Sequence, residues 1–282
     1  MIKEGNIRFL KTAGNKFKYI DVIRKEIDKI EKPYVYVEPF LGSGSILINC
    51  IDDDIISYGF DSNENIINIF KHFKDINYEE LEHFYNTYVL KFGNIGKEKE
   101  AYYSYRNEIY NKLYYKNNNK YSSMALYYLI RSCINSMIRF GPNGFNQSFG
   151  NRGRDIYLTK ESLDFYKEKT KSAKFSCINF FDIPTKLFDN KNILWFLDPP
   201  YVGMGHVSYQ DNFSKDNFEK FIDIITNKIK GKILYTDTWN EIHDIKLKNW
   251  RRIVLNKRLL TISPQLKKKN VAGKVEYLYC NF

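Results

Sequence analysis

From residue 33 onward, the chain alternates short runs of β-forming residues with longer stretches of helical spacing. Tyr34, Val35, Tyr36 and Val37 are the first such run. The glycine-rich piece Phe40-Leu41-Gly42-Ser43-Gly44-Ser45 follows, and Ile46, Leu47 and Ile48 begin a helix. A second strand is predicted from Ile55 to Phe60, ending at Asp61, with a helix running on through Asn65 and Phe70. A strand, a glycine turn, a helix and a second strand closed by an acid form the opening of a nucleotide-binding α/β unit.

The texture changes between Tyr78 and Leu163. Helical stretches rich in Tyr, Asn and Lys dominate, among them Lys97 to Tyr115 and Ser122 to Arg139, and a Gly/Asn/Arg-rich piece, Gly141 to Arg154, follows. This reads as a mostly helical module, residues 76–164, inserted into a domain built from residues 1–75 and 165–282. Strand signals return at Phe175 to Asn179, at Ile193 to Leu197 and at Lys232 to Thr236. Two β-rich tail segments, Arg252 to Thr261 and Val275 to Phe282, fit an antiparallel pair. The predicted class is α/β: a mostly parallel sheet with helices on both faces and its ligand at the carboxyl ends of the strands.

Composition narrows the partners. With 282 residues, 43% of them hydrophobic, the chain can bury a substantial core. Lys and Arg number 44 against 33 Asp and Glu, a net charge of +11, which favours nucleic acid or another anionic partner. The Asn-, Lys-, Ile- and Tyr-rich composition also fits an AT-rich genome, so charge alone discriminates weakly. No apolar run approaches the ~20 residues of a membrane span, and the opening MIKEGNIRFLKTAGNK lacks the apolar stretch of a secretory signal. Cys50, Cys133, Cys177 and Cys280 lie far apart. That spacing argues against a disulfide framework or a zinc site and for buried, reduced thiols in a cytoplasm. His72, His83, His206 and His243 show no metal-ligand spacing, and no metal is expected.

Three loci carry chemistry. In Glu38-Pro39-Phe40-Leu41-Gly42-Ser43-Gly44 the glycines permit a tight turn and close approach of backbone to a ligand. Alone, such a turn is equally often structural. Asp61, at the end of the second strand, can accept both hydroxyls of a ribose or cap the next helix. The third locus is Leu197-Asp198-Pro199-Pro200-Tyr201, directly after an apolar strand. Two prolines stiffen the chain and hold a carboxylate, a carbonyl and an aromatic ring in fixed positions. A nucleobase amine is a poor nucleophile because its lone pair is delocalised. An Asp198 carboxylate and a Pro199 carbonyl, each accepting one N–H, would polarise it while Tyr201 stacks on the base. A rigid turn with a helix cap is the plainer alternative.

Together these residues resemble the Dam-like N6-adenine DNA methyltransferases, the D12 class with its Asp-Pro-Pro-Tyr motif. Phe9-Leu10-Lys11-Thr12-Ala13-Gly14-Asn15-Lys16 is similar to that family's Phe-Leu-Lys-Trp-Ala-Gly-Gly-Lys signature, with Thr12 in place of the aromatic and Asn15 in place of a glycine. Gly59-Phe60-Asp61-Ser62-Asn63 resembles its second-strand acidic motif. Arg139 with Gly144-Phe145-Asn146-Gln147-Ser148-Phe149-Gly150 resembles its Arg and Gly-x-Phe-Asn-Val-Pro-Phe-Gly segment, with Gln147-Ser148 replacing Val-Pro. The ending Glu276 to Phe282 resembles its last strand.

The resemblance implies a Rossmann-like fold that binds S-adenosyl-L-methionine, with the insert as a target-recognition domain. It places Thr12, Lys16, Glu38, Phe40, Gly42, Gly44, Asp61, Phe180 and Asp198 at the cofactor, and Asp198, Pro199, Pro200 and Tyr201 at the target adenine. Arg131, Asn135, Arg139, Asn143, Phe145, Asn146, Arg152 and Arg154 are the expected contacts to double-stranded DNA, some to phosphates and some to base edges. The lysine run Lys267 to Lys269 reads as a solvated basic face before a phosphate contact. The segment Gly203 to Phe213 is a candidate loop closing over a flipped base, with Tyr209 and Phe213 as wedges. The implied reaction is direct transfer to adenine N6 at GATC or another GAT-containing site, by a monomer or weak dimer in a bacterial cell or phage-infected host. Rival readings are an RNA-adenine or cytosine-N4 methyltransferase and a catalytically silent binding module. A nicotinamide oxidoreductase is disfavoured because the turn lacks a third glycine.

Overall fold

The computed structural model describes residues 5–12, 14–32, 34–151, 153, 156–201, 213–238, 241–256 and 275–282. Helix α1 (Ile20–Ile27) leads to strand β1 (Val35–Glu38), helix α2 (Ser45–Cys50), strand β2 (Ser57–Asp61) and helix α3 (Glu64–Phe73). Asn63 caps α3, its side chain accepting the Asn65 N–H, so Asp61 is not the cap. Ile66, Ile69, Phe70 and Phe73 then fall on one buried face at the three- and four-residue spacing of a helix.

Residues 78–132 contain helices α4 (Tyr78–Phe84), α5 (Lys99–Ser104) and α6 (Lys120–Ser132). Wider π-type turns continue α4 over Tyr85–Val89 and α5 over Tyr105–Tyr114. The predicted helix Ser122 to Arg139 stops early, at Ser132. Asn135 and Ser136 both have a φ of 52°, a left-handed backbone that no α-helix accepts. A two-rung hairpin follows, β3 (Phe140–Gly141) against β4 (Gly144–Phe145), with Pro142 and Asn143 at its turn. The Asn111 side chain holds this hairpin by accepting the Phe145 N–H at 2.8 Å and donating to its carbonyl at 3.0 Å.

Helix α7 (Lys160–Thr170), strand β5 (Ala173–Cys177), helix α8 (Thr185–Phe188) and strand β6 (Ile193–Leu197) return the chain to the sheet. Helix α9 (Lys215–Asn227), strand β7 (Lys232–Thr238), helix α10 (Glu241–Lys246) and strands β8 (Arg251–Asn256) and β9 (Glu276–Cys280) complete it. The strand order is β5-β2-β1-β6-β7-β9-β8. The first five strands are mutually parallel, and β9 runs antiparallel to both β7 and β8. This is a Rossmann-like α/β sheet closed by the antiparallel pair the tail predicts.

Strand β6 lies at the centre with all five residues buried, as an apolar run flanked by parallel neighbours should. Val37, Trp195, Leu197, Phe221 and Tyr235 share one core cluster. The other is continuous from Tyr36, Leu47 and Phe70 to Tyr105 and Tyr127. Phe9 is central to this second cluster, stacked on Tyr166 at 3.9 Å and close to Phe73 and Tyr127. Cys50, Cys133 and Cys280 are buried as expected, whereas Cys177 at the end of β5 is exposed. Among the described residues no helix is long and apolar enough to cross a membrane, and no cluster of side chains could hold a metal ion.

Candidate active site

The chain places β2 and β5 on one side of β1, and β6 and β7 on the other. The strand order therefore reverses between β1 and β6, and a crevice opens at their carboxyl ends. Glu38 is the last residue of β1, and Asp198 follows directly on β6.

Asp198 is held from two sides. Lys16 Nζ lies 2.6 Å from Oδ1 and 2.7 Å from Oδ2, and Thr236 Oγ1 at the end of β7 donates to Oδ1 at 2.7 Å. Lys16 also donates to the Gly14 carbonyl at 2.9 Å and sits 3.4 Å from Glu276. It is the only lysine or arginine buried among the described residues, at 4% exposure. Burial pulls its pKa down, but the charges of Asp198 and Glu276 outweigh that and raise it, so the ammonium stays charged. Burial raises the Asp198 pKa despite Lys16 and Thr236. Pro199 is buried, while Asp198, Pro200 and Tyr201 keep partial access to the crevice.

Glu276, first residue of β9, reaches the same point. Tyr201 donates to its Oε1 at 2.6 Å and Tyr19 to its Oε2 at 2.7 Å. Burial pushes its carboxyl up, but Lys16 and the two phenols outweigh that, and the net shift is downward. Beside it, Asp237 accepts from Tyr235 at 2.5 Å and from the Thr238 N–H at 2.6 Å, and burial lifts its pKa to about 7. His243 closes this layer against Tyr235 and Tyr279 at 3.1 and 3.2 Å, and burial pushes it down to about 4, so its ring is neutral.

The glycine turn packs against the first two strands. Gly42 and Gly44 have φ of 48° and 61°, in the left-handed region. A Cβ on Gly44 would also come within 2.7 Å of the Phe70 ring, while one on Gly42 would make only ordinary contacts, with Thr12 Oγ1 at 3.6 Å and the Phe40 carbonyl at 3.9 Å. Asp61 ties the turn down, with Oδ2 accepting the Gly42 N–H and Oδ1 the Asn63 N–H, both at 2.9 Å. Burial raises its pKa against those two bonds. Glu38 Oε2 accepts the Tyr36 hydroxyl at 2.8 Å and the Leu47 N–H at 3.1 Å, and burial lifts this carboxyl to about 8. Lys16 pairs with Asp198 and Glu276, and Glu38, Asp61 and Asp237 add carboxyls at the ends of β1, β2 and β7, an environment that favours a positively charged ligand.

Two predicted residues lie differently from expectation. Phe180 is 2% exposed and stacks under Phe40 at 5.4 Å, so its ring belongs to the core. Its neighbour Phe181 is the half-buried one, 6.2 Å from Phe213 at an interplanar angle of 17°. Phe213 packs on Phe40, Phe181 and Phe221 as part of this aromatic wall and is not placed as a free wedge. His206, Tyr209 and Lys267 to Lys269 lie outside the described residues.

In the hairpin, Phe145 is 1% exposed and packs on Tyr110 and Phe140, so its ring faces the core. Arg131 donates to the carbonyls of Ile156, Arg8 and Phe9 and to the Tyr127 hydroxyl, at 3.0 to 3.2 Å. That makes it a tie between α6 and the N-terminal segment. Arg139 reaches across the hairpin to Asn146, and Asn135, Asn143 and Asn146 are exposed. A cleft of about 450 Å³ lies beside the hairpin, bounded by Arg106, Asn107, Asn143 and Asn146. Arg152 and Arg154 lie outside the described residues. Sequence reading missed Tyr19, Thr236, Asp237 and Glu276. The position of Thr236 and Asp237 at the end of a predicted strand was the one signal available for them.

The family described as D12 class N6 adenine-specific DNA methyltransferase matches residues 13–267. A DNA adenine methylase of Serratia marcescens is 29% identical over 199 residues, covering 70% of this chain and 67% of that protein. One from Escherichia coli strain K12 is 29% identical over 200 residues, covering 70% and 66%. A Type II methyltransferase of Methanocaldococcus jannaschii is 26% identical over 227 residues, 74% of each chain. The aligned stretch thus spans about two thirds of the length of the two methylases. A match across most of the sequence, meeting an Asp-Pro-Pro-Tyr corner at the sheet's switch point, shows that the chain belongs to the D12 class of N6 adenine-specific DNA methyltransferases.

Proposed function

We propose that this chain transfers a methyl group from S-adenosyl-L-methionine to the exocyclic N6 of adenine in double-stranded DNA, at GATC or another GAT-containing site. The observation that carries the reading is the Asp198 carboxylate, fixed by Lys16 and Thr236 beside the glycine turn at the switch point. S-adenosyl-L-methionine, when bound, supplies an electrophilic methyl group on a cationic sulfonium. The carboxyls at the strand ends fit such a cation. Thr12, Phe40, Gly42 and Gly44 are suited to its methionine part, with Glu38 opposing the ammonium. Both Asp61 oxygens keep acceptor capacity for ribose hydroxyls beyond the one N–H each already holds. The half-buried rings of Phe40 and Phe181 are suited to its adenine, with Phe180 behind them.

At the target, Asp198 accepts one N–H of the adenine amine and the Pro199 carbonyl the other. The nitrogen lone pair is thereby localised, and Tyr201 stacks on the ring. Asp198, whose proton affinity burial has raised, then takes the proton released as the amine becomes secondary. Adenine must leave the duplex to reach this point, which costs a few kcal/mol of unstacking. The insert, residues 76–164, is the proposed recognition domain, presenting Asn135, Arg139, Asn143 and Asn146. The protein would act as a monomer or weak dimer in the cytoplasm of a bacterial cell or phage-infected host, alone or beside a restriction nuclease.

Labelled methyl donor, duplex DNA and the purified chain test this directly. Label recovered in N6-methyladenine, at a site mapped by sequencing, is the expected result. Label in RNA or N4-methylcytosine, or cofactor binding without transfer, would overturn it.

A further inference from the structure

Glu276 stands 257 residues from Tyr19 in sequence, yet its carboxylate takes hydrogen bonds from both Tyr19 and Tyr201 and sits 3.4 Å from Lys16. It is 4% exposed, so these contacts are made away from bulk water, where charge-assisted bonds are strong. Strand β9 fixes its place, pairing Glu276 with Thr238 of β7 two residues beyond Thr236. The same lysine that clamps Asp198 also lies over the Tyr201 ring, 5.2 Å from its centroid. One face of that ring is therefore covered by a cation, and only the other is left for a stacking base.

Tyr201 and Asp198 lie three residues apart in a proline-stiffened corner, but the prolines do not fix the torsions of the tyrosine side chain. The hydroxyl bond to Glu276 does. We propose that Glu276 is a positioning residue that holds the Tyr201 ring and the Lys16 ammonium together, so that the purine stacks on one defined face with its amine toward Asp198. This rests on the adenine-methylation reading above. Glu276 itself touches neither base nor cofactor in this account; it acts through Tyr201 and Lys16. Loss of the bond frees the ring to rotate, and misplacement of about 1 Å can cost ~100-fold in rate.

The test compares wild type, Glu276→Gln, Tyr201→Phe and the double variant, on a duplex containing the methylated site and on one with 2-aminopurine at the target position. Each of the first two substitutions should lower kcat by roughly 10- to 100-fold, with KM for DNA and cofactor changed less than about threefold. The double variant should be no slower than the worse single, because both remove one coupling. The 2-aminopurine, less firmly stacked, should fluoresce more brightly on Glu276→Gln than on wild type. Wild-type kcat in Tyr201→Phe, which leaves the buried carboxylate and its lysine in place, overturns the proposal even where Glu276→Gln folds poorly. So do losses that multiply in the double variant. A wild-type protein that methylates no adenine would strike the functional reading instead; active wild type with unaffected variants strikes only the role of Glu276.

Discussion

Lys16 lies 2.6 Å and 2.7 Å from the two carboxylate oxygens of Asp198, a residue 182 positions away in the chain. The pair joins the N-terminal segment to the end of β6, and Asp198 with Glu276 keeps the buried ammonium charged. Lys16→Met removes the counter-charge but keeps the stem. It should cost about 3 kcal/mol of stability, the usual consequence of leaving one member of a buried pair alone. Thermal or urea unfolding measures this. Asp198→Ala should abolish methyl transfer yet lose less stability, because Lys16 still has Glu276. Circular dichroism with a transfer assay separates the two effects.

The glycines of the turn should differ in their tolerance. Gly42→Ala meets strain from its positive φ alone, roughly 1–2 kcal/mol. Gly44→Ala adds a collision with the buried Phe70 ring, 2.7 Å away, and should be the more destabilising substitution. Calorimetric titration with cofactor should show weaker binding for both, with Gly44→Ala the worse.

Cofactor affinity should depend on pH through Glu38 and Asp237, whose carboxyls burial lifts to about 8 and about 7. Protonated carboxyls do not attract a cation. Binding a cationic ligand below pH 8 therefore expels protons, and affinity rises from pH 6.5 to 8.5 before levelling off. Without ligand the sign is opposite for stability. The folded protein binds more protons than the unfolded chain between the ordinary carboxylate range and pH 8, so stability falls as pH rises across that window. Calorimetry in buffers of different ionisation enthalpy counts the protons released; none released at pH 6.5 would refute the linkage.

Arg131 and Arg139 should separate in their effects. Arg131→Ala deletes bonds to three backbone carbonyls and should cost about 2–3 kcal/mol of stability. Arg139→Ala, on the hairpin surface, should change stability by less than about 0.5 kcal/mol. It should weaken DNA binding and flatten its salt dependence by about one unit of slope if the side chain meets a phosphate. Fluorescence anisotropy over a salt series reads both.

How much of this the sequence disclosed depended on how local each feature is. Strand β6 spans the predicted residues, Ile193 to Leu197, because five consecutive apolar residues ahead of Asp-Pro-Pro admit little else. The Asp198 corner and the glycine turn were legible for the same reason: each is stated within a few residues. Glu276 was not, because its role exists only once β9 pairs with β7. The end of α6 at Ser132 depends on two left-handed residues whose conformation propensity does not reveal. Phe145 is an expected DNA contact because its segment resembles the family's Gly-x-Phe-Asn stretch, and the hairpin turns its ring toward Tyr110 and Phe140. The π-type turn over Tyr105–Tyr114 left no periodic trace.

The bond between Tyr19 and Glu276 closes the candidate site through a contact between segments 257 residues apart. A fragment lacking β9 keeps Asp198 and Tyr201 but not the strand that braces the tyrosine, so truncation ahead of Glu276 should silence transfer even where the parallel strands still form.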